Sequence, residues 1–181
     1  MEFKNVVKTV LGVYFCSLFQ TGCAPQDKRG KLAEESQPKA TMITVTTVIY
    51  AMMITVDGNN IKLEESTRTV RIGGAGVFIS PTGHVLTCAH LLTYGNPESV
   101  MVCEYNGDCS KADVLYKEDR LDLLLLKVEM AKPAQYARLA DPRKLRVGQE
   151  VIAIGNPLRL DFTVTHDIIS ALYRDSLGVP N

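Results

Sequence analysis

The segment GGAGVFISPTGHVLTCAH, residues 73–90, constrains the fold of this chain more than any other. Its first apolar run, at 77–79, ends at a Pro-Thr-Gly turn signal in which proline fixes φ and glycine can take a positive φ. A second apolar run follows and stops at Thr87-Cys88-Ala89-His90. The pattern predicts a β-hairpin that delivers His90 to the rim of a barrel, where an imidazole can act as a general base.

The chain from residue 41 onward has the patterning of an all-β domain. Strands are predicted where β-branched or apolar runs are bounded by turn signals, namely at 42–50, 52–56, 100–105, 108–116, 121–128 and 148–154, with a hairpin-like pair at 162–165 and 168–173. The polar residues 61–69 fit either a longer loop or an edge strand. The run at 121–128 is nearly all apolar, so we expect it to be buried on both faces. No long amphipathic helix is predicted, and many short strands favour a β-barrel or sandwich.

Composition excludes several classes of function. The 181 residues carry a formal net charge of zero and are 46% hydrophobic, which suits an ordinary globular domain. Lys and Arg form no cluster that could neutralise phosphates, and Trp is absent, so we expect no nucleic-acid partner. No internal run is long enough to span a membrane. The sequence predicts no cofactor, and no cysteine–histidine spacing resembles a zinc motif.

Residues 1–23 have the pattern of an export signal. Lys4 and Lys8 precede an apolar stretch at 9–19, and Gln-Thr-Gly-Cys follows. The end of this segment resembles a bacterial lipobox, which implies lipidation of Cys23, although Gln20 stands where an aliphatic residue is usual. The alternative is an ordinary cleaved signal peptide. Residues 24–40 are polar, contain two prolines and read as a flexible tether, so we expect a domain in the periplasm or cell envelope, held to the membrane only through its N-terminal lipid.

Asp122 stands at the mouth of the leucine-rich run and needs a polar partner because burial penalises a charged carboxylate. A histidine ring N–H would satisfy it, and such a carboxylate fixes the imidazole tautomer. Taken singly, an aspartate before a strand is usually a turn residue or a cap, and a lone histidine is often only packed. His166 reads as a loop histidine.

Together and in this order, the motifs resemble a trypsin-like serine protease of the HtrA (Deg) type. The resemblance covers roughly residues 70–175 and rests on the hairpin GAGVFISPTGHVLTCAH, the Asn-Gly hairpin, RLDLLLLKV, and the Gly-Asn-Pro turn with its Thr-Val-Thr strand. It implies an all-β double barrel, with the first barrel at 41–140 and a connector with part of the second at 141–181. It further implies that His90 is the general base and Asp122 its orienting carboxylate. Asp119 is the rival for the second role, but the family's aspartate directly precedes the leucine-rich strand.

The sequence departs from the family pattern at several positions. Cys88-Ala89 stands where Asn-Ala is common, and His166-Asp167 stands where Ser-Gly is frequent. The nucleophile motif Gly-Asn-Ser-Gly-Gly does not occur, and neither Ser170 nor Ser176 has the flanking glycines that build an oxyanion hole. A base and its orienter without a nucleophile cannot form an acyl-enzyme. We therefore expect a truncated protease whose chain, alone, is poorly stable and inactive.

The expected function is that of an envelope serine endopeptidase acting on misfolded or exposed polypeptides, and the resemblance suggests a homo-oligomer. One alternative is a lipid-tethered barrel that kept His90 and Asp122 but binds a partner instead of cleaving it. Another is a chymotrypsin-like fold with a cysteine nucleophile. The coding sequence after codon 181 distinguishes these hypotheses.

Cys103 and Cys109 flank the Asn106-Gly107 turn, and export makes a disulfide between them feasible. A two-residue turn at Asn-Gly would place Glu104, rather than Cys103, directly opposite Cys109 on the facing strand. In that register the cysteines are diagonal neighbours, so a bond requires a longer loop or a bulge. The sequence leaves both states of this pair open.

Overall fold

The computed structural model describes residues 26–57, 60–93, 97–157 and 160–172. The predicted export signal with Cys23, and the tail that contains Ser176, lie outside these ranges. No helix within them combines the length and hydropathy needed to cross a bilayer.

An antiparallel sheet closes into a barrel with the strand order β1-β2-β3-β6-β5-β4. The strands are β1 at Ala40–Asp57, β2 at Asn60–Phe78, β3 at His84–Thr87, β4 at Pro97–Glu104, β5 at Cys109–Glu118 and β6 at Leu123–Val128. The predicted all-β barrel is therefore confirmed. The hairpin predicted from the segment 73–90 forms between β2 and β3, with Phe78 opposite Val85.

The barrel interior is filled by alternate residues of its strands. Ile43, Val85, Leu124 and Leu126 are fully buried members of one apolar cluster. Strand β6 alternates between fully buried and half-buried positions, so the expectation that it is buried on both faces is wrong. The reason is closure, because one face of a barrel strand lines the core and the other looks outward. Each fully buried aliphatic side chain contributes about 1.5–3 kcal/mol.

The β1–β2 hairpin is far longer than the barrel requires. The predicted strands at 42–50 and 52–56 are one continuous strand, and residues 61–69 belong to β2 rather than to a loop. Beyond residue 49 the two strands leave the core, and we call residues 50–57 and 60–67 the ribbon. One face of the ribbon carries large apolar side chains whose exposed fractions run from 61% for Leu63 to 82% for Tyr50, namely Tyr50, Met52, Ile54, Val56, Ile61 and Leu63.

The opposite face of the ribbon is mainly polar. Cross-strand partners share a face, so Met53 with Glu64 and Thr55 with Lys62 lie on this second face. Met53 is its large exposed apolar residue, at 57%. The ribbon is therefore amphipathic, and its apolar face is turned to solvent.

The β4–β5 hairpin differs in register from the sequence expectation. Cys103 lies directly opposite Cys109, and the two form a disulfide. The Glu104 amide donates to the Asp108 carbonyl over 2.8 Å, which makes Tyr105-Asn106-Gly107 a three-residue loop. Gly107 has φ +93°, the left-handed residue that closes such a loop. The Asn-Gly pair thus occupies the last two loop positions, and this shifts the register by one residue.

A second, two-stranded sheet follows the barrel, with β7 at Glu150–Gly155 paired to β8 at Thr163–Ile168. The expected pairing of 162–165 with 168–173 is wrong, because no turn occurs at His166-Asp167 and both residues continue β8. Ser170 lies beyond the end of β8 and is exposed.

Residues 24–40 were predicted to be a flexible tether, but most of them are helical in the structure. Helix α1 spans Gln26–Ser36, and a 3-10 turn spans Gln37–Lys39. Leu32 and Ala33 pack against a small cluster that includes Ile152 of β7. Arg29 forms an ion pair with Glu150 at the start of β7. Helix α1 lacks an extended apolar face, so its position depends on these tertiary contacts rather than on helical periodicity.

The β2–β3 turn is held by a glycine that cannot be replaced without a clash. Gly83 has φ +87°, and a Cβ atom built there would lie 2.2 Å from the Val128 carbonyl oxygen. The Gly83 carbonyl accepts a 2.9 Å hydrogen bond from the Val128 amide, so the backbones cannot separate freely. This contact anchors the turn to the end of β6.

Gly83→Ala should therefore lower the free energy of unfolding by about 3 kcal/mol or more, since left-handed strain and a backbone clash add. Gly107→Ala is the matched control, because Gly107 has φ +93° but no atom within 4 Å of an added Cβ. Gly107→Ala should lower the free energy of unfolding by only the left-handed backbone strain, about 1–2 kcal/mol. Urea unfolding followed by circular dichroism measures both, and equal costs would contradict the clash.

Candidate active site

His90 lies on a short 3-10 helix, Ala89–Leu92, directly after β3. Ala89 and Leu91 are buried, whereas His90 points outward with 64% of its side chain exposed. Leu91 occupies the space beside Gly74, where an added Cβ would lie 2.6 Å from a Leu91 methyl group. Gly74 thus makes room for Leu91, which anchors the turn that carries His90, a role that the sequence motif alone did not reveal.

Asp122 lies at the end of the turn between β5 and β6, and it is held in an unusual backbone conformation. Its φ of +53° falls in the left-handed region, which aspartate tolerates better than most residues. Strand pairing places Thr87 of β3 opposite Leu124 of β6. Because Asp122 precedes Leu124 by two residues and His90 follows Thr87 by three, antiparallel pairing brings the two side chains to the same rim.

Asp122 holds His90 by two hydrogen bonds. The His90 ring nitrogen Nδ1 lies 2.8 Å from Asp122 Oδ2, and the His90 backbone amide donates to Oδ1 over 2.7 Å. An ionised carboxylate only accepts hydrogen bonds, so Nδ1 carries the proton and a neutral ring has its free lone pair on Nε2. The pair can therefore take up a proton at Nε2 and stabilise the resulting imidazolium.

The rival Asp119 lies elsewhere. Its carboxylate pairs with Lys117 over 2.7 Å and is 74% exposed. Its backbone carbonyl accepts a 3.3 Å hydrogen bond from the Asp122 amide, so Asp119 contributes to the turn that presents Asp122. The structure brings Asp122, and not Asp119, to His90.

The other two histidines, His84 and His166, have partners other than His90 and Asp122. The His84 ring nitrogen Nδ1 lies within hydrogen-bonding distance of the Ser80 and Thr82 hydroxyls in the β2–β3 turn. His166 lies on β8, not in a loop as expected, with Nε2 3.8 Å from a Glu150 carboxylate oxygen.

Cys88 is a free, half-buried cysteine between β3 and the 3-10 helix of His90. Burial, with a smaller contribution from the negative charge of Asp122, raises the pKa of its thiol to about 11. The thiolate is thus scarce near neutral pH, and Cys88 by itself is a poor nucleophile there.

Comparison of the sequence with known protein families assigns the chain to one of them. A sequence profile described as the trypsin-like peptidase domain matches residues 74–180, more than half of the chain. The chain therefore belongs to the trypsin-like peptidase family.

Within that family its similarity is to proteins of the HtrA type, as the sequence motifs predict. A probable periplasmic serine endoprotease, DegP-like, from Rhizobium meliloti is 39% identical over 105 residues, which are 58% of this chain and 20% of that protein. The periplasmic serine endoprotease DegP of Salmonella typhimurium is 38% identical over 60% of this chain and 22% of its own length. The chain thus spans about a fifth of the curated relatives it matches.

Solved structures give the same fold. The HtrA-type protease AlgW, determined with a decapeptide, aligns with a TM-score of 0.62 at 24% identity, over 82% of this chain and 47% of that one. At this identity the likeness shows the fold alone.

The raised pKa of Cys88 predicts slow alkylation. Its reaction with iodoacetamide should increase with pH up to about 11, whereas the thiol exposed by urea should react fully at lower pH. Asp122→Asn removes the smaller of the two causes and should speed the native reaction modestly at pH 8. Mass spectrometry of the Cys88 peptide measures the rate. Rapid native labelling at pH 7 would contradict the assigned burial.

Proposed function

We propose that this chain supplies the base and its orienting carboxylate to a serine-type endopeptidase of the cell envelope. His90 is the general base, and Asp122 fixes its tautomer and stabilises its protonated form. The observation that carries the proposal is the double hydrogen bond from His90 to the two carboxylate oxygens of Asp122. Residues 74–180 match the trypsin-like peptidase domain, which also supports peptide-bond hydrolysis as the reaction.

The proposed reaction is acyl transfer to a serine. Nε2 of His90 takes the serine hydroxyl proton as the oxygen attacks a peptide carbonyl, and it later gives that proton to the leaving amine. The 181 residues contain no Gly-Asn-Ser-Gly-Gly sequence. In the proposed enzyme, the nucleophile and the oxyanion hole come from a polypeptide segment outside these 181 residues. In this division residues 41–140 form the first barrel, and 141–181 form the connector and part of the second.

We further propose that the substrates are misfolded or otherwise exposed polypeptides. The apolar face of the ribbon supports this, since six large apolar side chains in one exposed stripe mark a contact surface for apolar segments. An HtrA-type neighbour was solved with a decapeptide, which fits a polypeptide ligand.

The proposed location is the periplasm. Curated relatives from Rhizobium meliloti and Salmonella typhimurium are named as periplasmic enzymes. The export signal at 1–23 agrees with this location, and lipidation of Cys23 would tether the barrel to a membrane. Labelling with a radioactive fatty acid, with Cys23→Ser as the control, tests the anchor, and native mass spectrometry tests for a homo-oligomer.

The catalytic assignment predicts a graded loss of peptide cleavage. The assay compares the 181-residue chain with any longer in-frame product of its coding sequence, using unfolded casein as substrate. The chain alone should not cleave. In a product that carries the serine, Asp122→Asn should lower kcat by about 10⁴-fold, because the imidazole loses its fixed tautomer. His90→Ala removes the base itself and should lower kcat by at least as much.

Asp119→Asn is the matched control for this experiment, since it removes a neighbouring carboxylate that does not touch His90. It should leave cleavage unchanged. Cleavage that survives His90→Ala would refute the assignment, and a stop codon at 182 with no cleaving product would favour the inactive, partner-binding barrel.

The substrate assignment predicts that one face of the ribbon binds unfolded chains. The double variant Ile54→Ser, Leu63→Ser removes a cross-strand apolar pair and should weaken binding of labelled unfolded casein to the 181-residue chain by about tenfold. Met53→Ser changes an equally exposed side chain on the opposite face and should have little effect. Fluorescence anisotropy measures the dissociation constants, and equal effects on both faces would contradict a specific surface.

A further inference from the structure

A third metal-binding side chain lies beside the His90–Asp122 pair. Ligand atoms of Cys88, His90 and Asp122 all lie within 4.8 Å of one another. Thiolate, imidazole and carboxylate are the three donor types from which proteins build zinc sites. We propose that these residues form a Zn²⁺ site that competes with the use of His90 as a base. The binding itself is independent of the proposed function, but the inhibition that follows from it rests on that function.

The site is assembled by strand pairing rather than by a sequence motif. Cys88 is the last extended residue after β3, and His90 follows two residues later on the 3-10 helix. Asp122 arrives from the β5–β6 turn through the pairing of β3 with β6. For this reason the cysteine–histidine spacing did not predict a metal, although the fold places the donors together.

The distances require only small movements. Zinc bonds of about 2.0–2.3 Å in a tetrahedral site separate ligand atoms by roughly 3.3–3.6 Å. His90 Nδ1 and Asp122 Oδ2 are 2.8 Å apart, so they must separate by about half an ångström, and the Cys88 sulfur must approach from within 4.8 Å. His90 is 64% exposed, which leaves a fourth position open to water.

Proton balance explains why the metal would block catalysis. Zn²⁺ takes the place of the Nδ1 proton, and that proton is transferred through water to Nε2, so the imidazole stays neutral. The Cys88 S–H bond breaks and its proton is released to solvent, while zinc–sulfur, zinc–nitrogen and zinc–oxygen bonds form without any redox change. Nε2 then carries a hydrogen and is a donor. It can no longer accept a proton from a serine hydroxyl.

Charge also favours the cation. The Cys88 thiolate and the Asp122 carboxylate together neutralise Zn²⁺, so the occupied site has no net charge. An asparagine at position 88 would supply neither the sulfur ligand nor the second negative charge. The proposed site is therefore specific to a chain with cysteine at this position.

Titration with Co²⁺ tests the site directly on the 181-residue chain. One equivalent of Co²⁺ should give a thiolate-to-cobalt charge-transfer band with intense visible bands of tetrahedral cobalt, and Zn²⁺ should displace it. Cys88→Asn should abolish the charge-transfer band and weaken Zn²⁺ binding on the order of 100-fold, since even an outer-shell change has effects approaching this size. His90→Ala and Asp122→Asn should each weaken binding, whereas Asp119→Asn should not.

Alkylation mapping assigns the thiol. Zn²⁺ should protect the Cys88 peptide from iodoacetamide in the wild-type chain but not in His90→Ala, and protection at Cys16 or Cys23 should be independent of His90. A charge-transfer band that persists in Cys88→Asn, or the absence of any band in the wild type, would overturn the proposal. Neither measurement requires peptide cleavage, so a failure of the proposed protease function is distinguishable from a failure of the metal site.

Discussion

The pairing of β3 with β6 is the interaction on which the candidate site depends. It closes one seam of the barrel, with Leu124 and Leu126 buried in the core. The same pairing sets Thr87 opposite Leu124 and so brings Asp122 to His90, which lies 32 residues earlier in the chain. The energy that fixes the site geometry therefore comes mainly from apolar burial beneath it, while both polar side chains remain partly exposed at the rim.

Each half of the pair is also held by a local device. Leu91 is anchored beside Gly74, so the 3-10 turn under His90 is pinned to β2. Asp122 adopts a left-handed conformation, with its amide bonded to Asp119 and its carboxylate bonded to the His90 backbone. Such restraints would fix the proposed general base in position before a substrate arrives, which is the arrangement that general acid–base chemistry needs.

The second sheet is tied to the barrel through the segment before β1. Arg29 of α1 pairs with Glu150, and the Gln37 side chain donates to the Phe162 carbonyl while accepting from the Tyr105 hydroxyl. Tyr105 and Phe162 meet edge to face with ring centroids 5.0 Å apart. Polar residues that look like a tether thus link the β4–β5 turn to the β7–β8 sheet, since each finds a partner that is remote in sequence.

The sequence by itself determined most of the barrel strands and the β2–β3 hairpin, because turn chemistry and apolar runs are local properties. The family and the roles of His90 and Asp122 were predicted instead from the resemblance of motifs spread over residues 70–175. Tertiary structure decided what depends on remote contacts. It set the Cys103–Cys109 register through a three-residue loop, extended β1 and β2 into an amphipathic ribbon, and ordered α1 on β7. It also brought Cys88 within 4.8 Å of Asp122, since the pairing of β3 with β6 joins segments 34 residues apart in the chain.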